Sequence, residues 1–339
     1  MKRLDLCAIA SRLVADDKGL LAIDESNTTC NKRFAVHGIA QTEEMRRAWR
    51  ELILTTPGLG ASISGVILYD ETIRQATREG TCFVQIITSI GIVPSIKVDI
   101  GLDDLANHPA EKITEGLDGL RERLHAYLEI GARFAKWRSA FFVDGQRPSR
   151  GCIEANAQGL ARYAALCQEV GLVPVVEAEV LLDGAHSLHR AAAVTEDVLR
   201  AVFAHLNAQG VRLEAMILKP SMVLPGVDNA VSASVEDIAI VTLKCLLRSV
   251  PAAIPGIAFL SGGQSPNLAS ARLNAINVNS RGCTPWPLTF SFARAIQAPA
   301  LKIWLGKSAN VTAAQAQILR RAQLNRSARK GRYLASMDS

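Results

Sequence analysis

The segment Ala215-Met216-Ile217-Leu218-Lys219-Pro220 is an apolar run that ends abruptly at a lysine and a proline. A short run of this kind predicts a strand over residues 215–218 that is buried on both faces, as in a parallel sheet. Proline cannot donate to a strand ladder, so we expect Pro220 to stop the pairing and to leave Lys219 at the strand's carboxyl end. Such a lysine either extends its amine to solvent or takes part in chemistry.

Seven further short apolar runs predict strands at residues 20–23, 65–69, 95–98, 133–135, 173–176, 257–260 and 287–290. Segments with helical spacing lie between them, at 43–54, 119–130, 153–170, 195–208, 235–247 and 266–276. This alternation predicts an α/β fold, the TIM (β/α)8 barrel, as a single domain with extra terminal helices. The domain should span residues 1–339, with the barrel at approximately 18–300, a basic C-terminal helix at approximately 311–330 and a short tail at 331–339.

A doubly wound open sheet is the alternative fold, and nucleotide-binding motifs would support it. Gly58-x-Gly60 is followed next by Gly65, which does not match the glycine spacing of a dinucleotide site. No Gly-x-x-x-x-Gly-Lys-[Ser/Thr] segment occurs either. The barrel is therefore the favoured fold.

The composition, 49% hydrophobic and 21% charged, is that of an ordinary globular protein. No apolar run approaches the roughly 18 residues of a membrane span, and Met1-Lys2-Arg3-Leu4-Asp5 lacks the apolar region of a signal peptide. We therefore expect a cytoplasmic protein without a membrane partner. The net charge of +6 is not gathered into long basic runs, which favours a small anionic substrate over nucleic acid.

The sequence offers no convincing metal site. The seven cysteines include no Cys-x-x-Cys pair, and His186-x-x-His189 has ligand-like spacing without a third histidine nearby. We expect neither a metal nor another cofactor.

The carboxyl ends of barrel strands meet at one face, so polar residues that follow the apolar runs should be neighbours there. Those residues are Asp24, Lys97, Lys136, Arg138, Glu177, Glu179, Lys219 and Ser261. Like-charge repulsion from Lys136 and desolvation by the apolar run would activate the Lys219 amine for imine formation. Glu177 and Glu179 alternate along one strand and face the same way, so one could move protons while the other tunes it. Alternatively, they are salt-bridge partners of nearby lysines.

The loops after the seventh and eighth strands are where barrel enzymes commonly bind phosphate. Ser261-Gly262-Gly263 ends the seventh predicted strand, and Arg294 follows the eighth. Glycine N–H groups and an arginine fork would hold such an anion. The alternative is a plain Gly-Gly turn.

The chain resembles the class I, metal-independent fructose-1,6-bisphosphate aldolases over nearly its whole length. The matching segments are Leu21-Ala22-Ile23-Asp24-Glu25-Ser26, Ile96-Lys97-Val98-Asp99, Phe134-Ala135-Lys136-Trp137-Arg138, Val176-Glu177-Ala178-Glu179, Leu218-Lys219-Pro220, Leu260-Ser261-Gly262-Gly263-Gln264-Ser265, Leu273-Asn274-Ala275-Ile276-Asn277 and Leu288-Thr289-Phe290-Ser291. The resemblance implies a TIM barrel, a homotetramer, a phosphorylated sugar as ligand and a place in glycolysis and gluconeogenesis. It also implies reversible cleavage of fructose 1,6-bisphosphate to dihydroxyacetone phosphate and glyceraldehyde 3-phosphate.

The resemblance also assigns roles to individual residues. Lys219 is expected to form the Schiff base and Glu177 to act as general acid and base, with Asp24, Lys136 and Glu179 in support. The residues expected to bind one phosphate and its sugar are Ser261, Gly262, Gly263, Arg294, Ser291 and Arg33. Those expected to bind the other phosphate are Ser26, Thr29 and Lys97, and Arg138 is a further substrate-binding residue.

The sequence departs from the family at three places. Ala178 stands where proline is common, and Ala293 stands where the family has glycine before the phosphate arginine. Eukaryotic members carry a long tail whose terminal tyrosine assists proton exchange, whereas this sequence reads Ser336-Met337-Asp338-Ser339. We therefore expect another group or water to protonate the enamine.

Two other functions stay open. One is a lysine-dependent aldolase for another ketose phosphate, such as fructose 1-phosphate or tagatose bisphosphate. The other is a barrel that binds sugar phosphates without turnover. The presence of Lys219, Glu177, Lys136 and Asp24 together favours an enzyme, because a mere binder needs no such set.

Overall fold

A computed structural model describes residues 5–338, so four residues of the segment inspected for a signal peptide and the last residue of the predicted tail lie outside it. Within that range the strands are β1 Gly19–Ile23, β2 Ile63–Leu68, β3 Val93–Lys97, β4 Gly101–Asp104, β5 Lys112–Glu115, β6 Phe134–Phe141, β7 Val173–Val180, β8 Ile217–Pro220, β9 Ile257–Phe259 and β10 Leu288–Phe292.

The strands form a closed parallel barrel and a separate hairpin. The barrel order is β1, β2, β3, β6, β7, β8, β9 and β10, with β10 paired to β1, while β4 and β5 form an antiparallel ladder. Every residue of β1, β2 and β10 is buried, as parallel strands covered on both faces require. The predicted TIM barrel is confirmed.

Helices surround the barrel. In the described chain they are α1 Leu6–Leu13, α2 Asn27–Val36, α3 Glu43–Leu54, α4 Asp70–Ile73, α5 Phe83–Ser89, α6 Leu120–Ile130, α7 Arg150–Val170, α8 Leu188–Ala208, α9 Val235–Ser249, α10 Pro266–Asn279, α11 Arg294–Trp304 and α12 Val311–Arg329. Short 3-10 turns occur at Leu59–Ala61, Leu213–Ala215, Ser308–Asn310 and Ala335–Asp338. Among residues 5–338, no helix is both long enough and apolar enough to cross a membrane.

The segment around Lys219 differs in detail from the prediction. Ala215 belongs to a 3-10 turn, so β8 starts two residues later than expected, and it continues through Pro220, which pairs with Ala178. Proline can stay in the ladder here because its carbonyl still accepts a hydrogen bond, from Leu260 N at 3.1 Å. Lys219 therefore lies inside the strand rather than at its end, with Glu177 as its register partner.

Several elements have no counterpart in the sequence prediction. The sequence analysis predicts neither the β4–β5 hairpin nor helices α1, α2, α4, α5 and α11. Strands β6 and β7 extend to Phe141 and Val180. The hairpin strands are largely exposed and polar, so no apolar alternation marks them in the sequence. The extensions matter for the site, since they carry Arg138 and Glu179 as strand residues.

Close packing at the amino end of the barrel depends on glycine. A Cβ atom at Gly19 would lie 2.5 Å from the ring of Phe290, whereas a Cβ at Gly159, within α7, would meet nothing within 4 Å. The two glycines therefore differ in the space available for a side chain. One is required by a neighbouring ring, and the other only adds backbone freedom to a helix.

We expect Gly19→Ala to destabilise the protein by about 1–3 kcal/mol, because Phe290 must move in a filled core. The matched change Gly159→Ala should raise the free energy of unfolding by up to about 1 kcal/mol, since alanine is the better helix former. Urea denaturation of both variants measures the two effects. Equal stability of the two variants would contradict the packing described here.

Candidate active site

Two lysines share one carboxylate at the centre of the barrel mouth. Lys219 Nζ lies 3.1 Å from Glu177 Oε1, and Lys136 Nζ lies 3.1 Å from Glu177 Oε2, the second contact being an ion pair without hydrogen-bond geometry. Lys136 Nζ also lies 2.6 Å from Asp24 Oδ2. Each of these four side chains is at least nine-tenths buried, so the contacts form away from bulk water.

Strand register brings this cluster together. Glu177 on β7 pairs with Arg138 on β6 and with Lys219 on β8. Because side chains alternate along a strand, Lys136 and Arg138 face the same side of β6, as Glu177 and Glu179 do on β7. Asp24 follows β1 directly. Residues spread over nearly 200 positions of sequence therefore meet at one end of the barrel.

The charges in the cluster stabilise one another. Burial disfavours ionisation of Asp24, but Lys136 and Lys219 outweigh it and lower its pKa to about 2. Burial likewise opposes the charge on Glu177, and the same two lysines still hold its pKa below the ordinary value. For Lys136 the burial effect is overcome by Asp24 and Glu177, which raise its pKa. Lys136 is thus held as an ammonium between two carboxylates.

This arrangement can perform proton transfer at an amine. An amine becomes a nucleophile only after losing its proton, and Glu177 Oε1 is within hydrogen-bond reach of Lys219 Nζ to accept it. Lys136 stays charged beside Glu177 and would favour the carboxylate form once a substrate has reacted. The geometry therefore fits an amine nucleophile with an adjacent general base.

A cavity of about 920 Å³ opens over this cluster. All but one of the residues that the sequence predicts for the site line it: Asp24, Ser26, Thr29, Arg33, Lys97, Lys136, Arg138, Glu177, Glu179, Lys219, Ser261, Gly262, Ser291 and Arg294. Gly263 lies just behind, where a Cβ atom would come within 3.3 Å of Arg294 Nη2. A side chain at position 263 would therefore push against the arginine.

One end of the cavity is built from the loop between β9 and α10. Gly262 and Gly263 both have positive φ angles, 53° and 87°, which leave the loop backbone unobstructed by side chains. Ser291 Oγ is buried and has no hydrogen-bond partner in the described structure. A buried hydroxyl without a partner is costly, and a ligand in the cavity would satisfy it. Arg294 begins α11 at the same end.

Lys97, Arg138 and Arg33 also line the cavity, and each is paired with a carboxylate. Lys97 Nζ contacts Asp99 Oδ1 at 2.7 Å, and Arg138 pairs with Glu179. Both glutamates form ion pairs: Glu177 pairs with the two lysines, as the salt-bridge alternative expects, and Glu179 pairs with Arg138. Ser26 caps α2 by accepting a hydrogen bond from Thr29 N, which places both hydroxyls at that helix's amino end.

Glu25 is the main residue that the sequence reasoning missed. It is buried and pairs with Arg33 and, at 2.8 Å, with Arg50, while Gln297 donates to it at 2.7 Å. Glu25 directly follows Asp24, and the sequence of two adjacent acids does not show which of them faces a neighbouring helix. Its contacts fix the position of Arg33 at the cavity wall.

Tyr69, Asp70, Arg123 and Tyr127 also line the cavity, on the side of the β4–β5 hairpin. Tyr127 donates to Asp70 Oδ1 at 2.8 Å. Tyr69 is the last residue of the predicted second strand, and Arg123 and Tyr127 lie in a predicted helix. These positions in the sequence do not indicate that the three residues belong to the site. Arg123 and Tyr127 reach the cavity because α6 lies beside the mouth of the barrel.

No group of three or more histidine, cysteine or acidic side chains suited to a metal ion occurs among residues 5–338. His186 is buried in the loop after β7, and His189 is in the first turn of α8.

Comparisons with known proteins found similar sequences. A family model of class-I fructose-bisphosphate aldolases matches residues 5–339. The chain is 51% identical to a probable class 1 fructose-bisphosphate aldolase from Xanthomonas axonopodis pv. citri, covering 97% of this chain and 98% of the relative. It is 49% identical to cytosolic fructose-bisphosphate aldolase 5 from Arabidopsis thaliana, over 99% and 94%.

The fold also matches a solved structure. This is the fructose-bisphosphate aldolase from Plasmodium falciparum, in complex with TRAP and a small molecule inhibitor, with a TM-score of 0.95 and 45% identity over 97% of this chain and 95% of that one.

The low pKa of Asp24 predicts that part of the free energy of unfolding is lost in acid. Its pKa is 3.8 when unperturbed and about 2 in the fold, so the carboxylate contributes stability above about pH 4 and loses it as the pH falls through 2. The shift corresponds to about 2 kcal/mol. Between pH 4.5 and 2, Asp24→Asn should therefore lose about 2 kcal/mol less unfolding free energy than the unsubstituted protein.

Urea denaturation across that pH range measures the difference. Asp103→Asn is the matched control, since Asp103 lies on the exposed hairpin and forms no ion pair within the described residues. It should follow the unsubstituted protein. An identical acid dependence for Asp24→Asn would show that Lys136 does not stabilise the Asp24 carboxylate.

Proposed function

The chain belongs to the class-I fructose-bisphosphate aldolase family, and we propose that it catalyses the reaction through a Schiff base on Lys219. The protein is a lyase that cleaves fructose 1,6-bisphosphate reversibly to dihydroxyacetone phosphate and glyceraldehyde 3-phosphate. The observation that carries the proposal is the position of Glu177, within 3.1 Å of both Lys219 and Lys136.

In the proposed mechanism, Glu177 accepts a proton from Lys219, and the free amine attacks the C2 carbonyl of the ketose. Glu177 returns a proton to the resulting carbinolamine hydroxyl, which leaves as water, and a protonated imine forms. Glu177 then takes the proton of the C4 hydroxyl as the C3–C4 bond breaks. The bonding electrons move into the imine and give an enamine, while glyceraldehyde 3-phosphate leaves.

The enamine must be protonated at C3 before the imine is hydrolysed. We propose that a cavity group or water supplies that proton. Tyr333, the last tyrosine of the sequence, is held elsewhere: its backbone N–H donates to Asn274 and its hydroxyl to Asp338. Imine hydrolysis then consumes one water and releases dihydroxyacetone phosphate.

Lys136 and Asp24 are proposed as supporting groups around C3 and C4. Lys136, held as an ammonium by Asp24, would stabilise the anionic form of Glu177 and the developing charge on the C4 oxygen. Glu179 would support the site indirectly, because its ion pair holds Arg138 at the cavity wall.

The phosphate groups are proposed to bind at opposite ends of the cavity. At one end are Ser261, Gly262, Gly263 and Arg294, with Ser291 and Arg33 as further contacts. At the other end are Ser26, Thr29 and Lys97, with Arg138 between. The unsatisfied Ser291 hydroxyl supports the first assignment, and the exposed end of α2 beside Lys97 supports the second.

We further propose that residues 1–339 form one domain, that the protein is a homotetramer and that it works in the cytoplasm in glycolysis and gluconeogenesis. Relatives in Arabidopsis include both cytosolic and chloroplastic enzymes, so family membership does not fix the compartment. Activity on other ketose phosphates, such as fructose 1-phosphate or tagatose bisphosphate, remains compatible with the same lysine chemistry.

Borohydride reduction tests the nucleophile. With dihydroxyacetone phosphate present, borohydride should reduce the imine and leave a stable adduct on Lys219, seen by peptide mass spectrometry. Lys219→Met should give no adduct and no cleavage activity, because it has no amine to react. Lys302→Met, on the exposed face of α11, is the control and should behave as the unsubstituted protein. An adduct on any other lysine, or inactivation by a chelator, would refute the mechanism.

Lys97 should distinguish substrates with one and two phosphates. Lys97→Met/Asp99→Asn removes the proposed phosphate contact and keeps the local charge balanced, since the two side chains are ion-paired. A charge-assisted contact is worth about 1.5–3 kcal/mol, so kcat/KM for fructose 1,6-bisphosphate should fall by about tenfold to a hundredfold. The value for fructose 1-phosphate should change by less than about threefold. Equal losses on both substrates would place Lys97 away from the second phosphate.

A further inference from the structure

The basic excess of the chain does not lie at the catalytic cavity. Seven basic and six acidic side chains line that cavity, so its formal charge is only +1. The chain as a whole carries +6. An anionic sugar substrate therefore does not account for the excess that the sequence shows, and the remaining positive charge must face other parts of the surface.

A second cavity, at the opposite end of the barrel, holds much of that charge. It has a volume of about 410 Å³ and is lined by four basic residues, Arg281, Arg329, Lys330 and Arg332, against one acid, Asp17. Its formal charge is thus +3. The residues come from the turn before β1, the turn after α10 and the end of α12.

The cavity lies at the amino ends of the strands. Asp17 precedes β1, and the lining residue Leu288 begins β10. In contrast, Asp24 follows β1, and Glu177 and Lys219 lie in the carboxyl-terminal halves of β7 and β8. Asn277 of the segment 273–277, which matched the aldolase family but received no role, also lines this second cavity. The two cavities therefore open on opposite faces of the barrel.

The turn before β1 is fixed by backbone contacts. Arg329 donates to the carbonyl oxygens of Val14, Ala15 and Lys18, which joins the end of α12 to this turn. Burial lowers the pKa of Arg329 to about 10, so the fold holds this cation at some cost. Its position is therefore set by the fold and does not depend on a ligand.

The other cations are poorly neutralised. Arg281 Nη2 donates to the Lys330 carbonyl oxygen at 3.3 Å, and Lys330 Nζ pairs with a half-exposed Asp17 at 3.2 Å. Arg332 has no side-chain partner within residues 5–338. Like charges gathered this closely repel one another, and a multivalent anion between them would relieve that repulsion.

We propose that this second cavity is a binding site for a small anion that carries a chain of two or more phosphate groups. Arg281 and Arg332 would bind it from the two sides, with Lys330 and Arg329 at its base. A volume of about 410 Å³ accepts such a molecule, and the concave shape suits a compact ligand better than the extended backbone of a nucleic acid. The site is independent of the Schiff-base chemistry.

Isothermal titration with inorganic tripolyphosphate tests the site. Saturating dihydroxyacetone phosphate and glyceraldehyde 3-phosphate are present, so that these two products and the fructose 1,6-bisphosphate they form occupy both phosphate ends of the catalytic cavity. Any remaining binding then reports the second cavity. We expect one tripolyphosphate per chain, with affinity that falls as salt is added. Arg281→Ala/Arg332→Ala should weaken binding at least about tenfold. Arg162→Ala, an exposed arginine on α7 away from the cavity, should leave binding unchanged.

Neither substituted arginine of the cavity contributes to catalysis or to a carboxylate pair, so cleavage activity and melting temperature should be retained. If the double variant melts at a lower temperature, the single change Arg332→Gln repeats the binding test in a folded protein. The Arg332 side chain has no partner among residues 5–338, so its replacement breaks no contact there. A nucleoside triphosphate serves as the second probe. Equal affinity for both probes would show that the site recognises only the phosphate chain. Tighter binding of the nucleotide would show that the site also contacts its base or sugar.

Two results would overturn the proposal. One is loss of all tripolyphosphate binding when dihydroxyacetone phosphate and glyceraldehyde 3-phosphate are present, which would place the anion in the catalytic cavity. The other is equal affinity of the unsubstituted protein and the Arg281→Ala/Arg332→Ala variant.

Discussion

The site depends on one carboxylate shared by two lysine side chains. Glu177 lies 3.1 Å from Lys219 and from Lys136, and all three side chains are buried. An isolated buried charge is expensive, and removal of one partner from such a set leaves another uncompensated. Asp24 completes the balance by its contact with Lys136. The cluster therefore depends on each carboxylate having a lysine in contact with it, and the same contacts place proton donors beside proton acceptors.

Barrel closure is what makes this balance possible. The strand register places Glu177 beside Lys219, and β1 brings Asp24 across to Lys136 on β6. Pro220 stays within β8 because its carbonyl accepts a hydrogen bond from Leu260. Strand pairing, rather than a flexible loop, thus holds the proposed nucleophile, and rigid elements position reacting groups more precisely than loops do.

The sequence pattern predicted the barrel and most of the charged residues of the cavity, because short apolar runs followed by polar residues mark parallel strands and their carboxyl ends. Ser26, Thr29 and Arg33 came only from the family resemblance. The pattern did not predict which charges pair. Glu179 and Glu177 look equivalent in Glu-x-Glu, yet one contacts Arg138 and the other both lysines. The partner is set by the strand register, which pairs Glu177 with Lys219 and leaves Glu179 beyond the last pair of β7 and β8. The exposed β4–β5 hairpin was missed for a related reason, since its polar strands carry no apolar pattern.

The two faces of the barrel use charge in opposite ways. At the catalytic face each cation except Arg294 has a carboxylate or backbone partner nearby among the described residues, which keeps the cavity close to neutral and lets small changes in protonation matter. At the other face Arg281 and Arg329 are held by carbonyl oxygens, which fix their position without cancelling their charge. A neutral cavity suits a reaction whose charges shift during turnover, whereas an uncompensated one suits an anion whose charge stays constant. The distribution of carboxylates, more than the number of lysines and arginines, thus separates a site for chemistry from a site for binding.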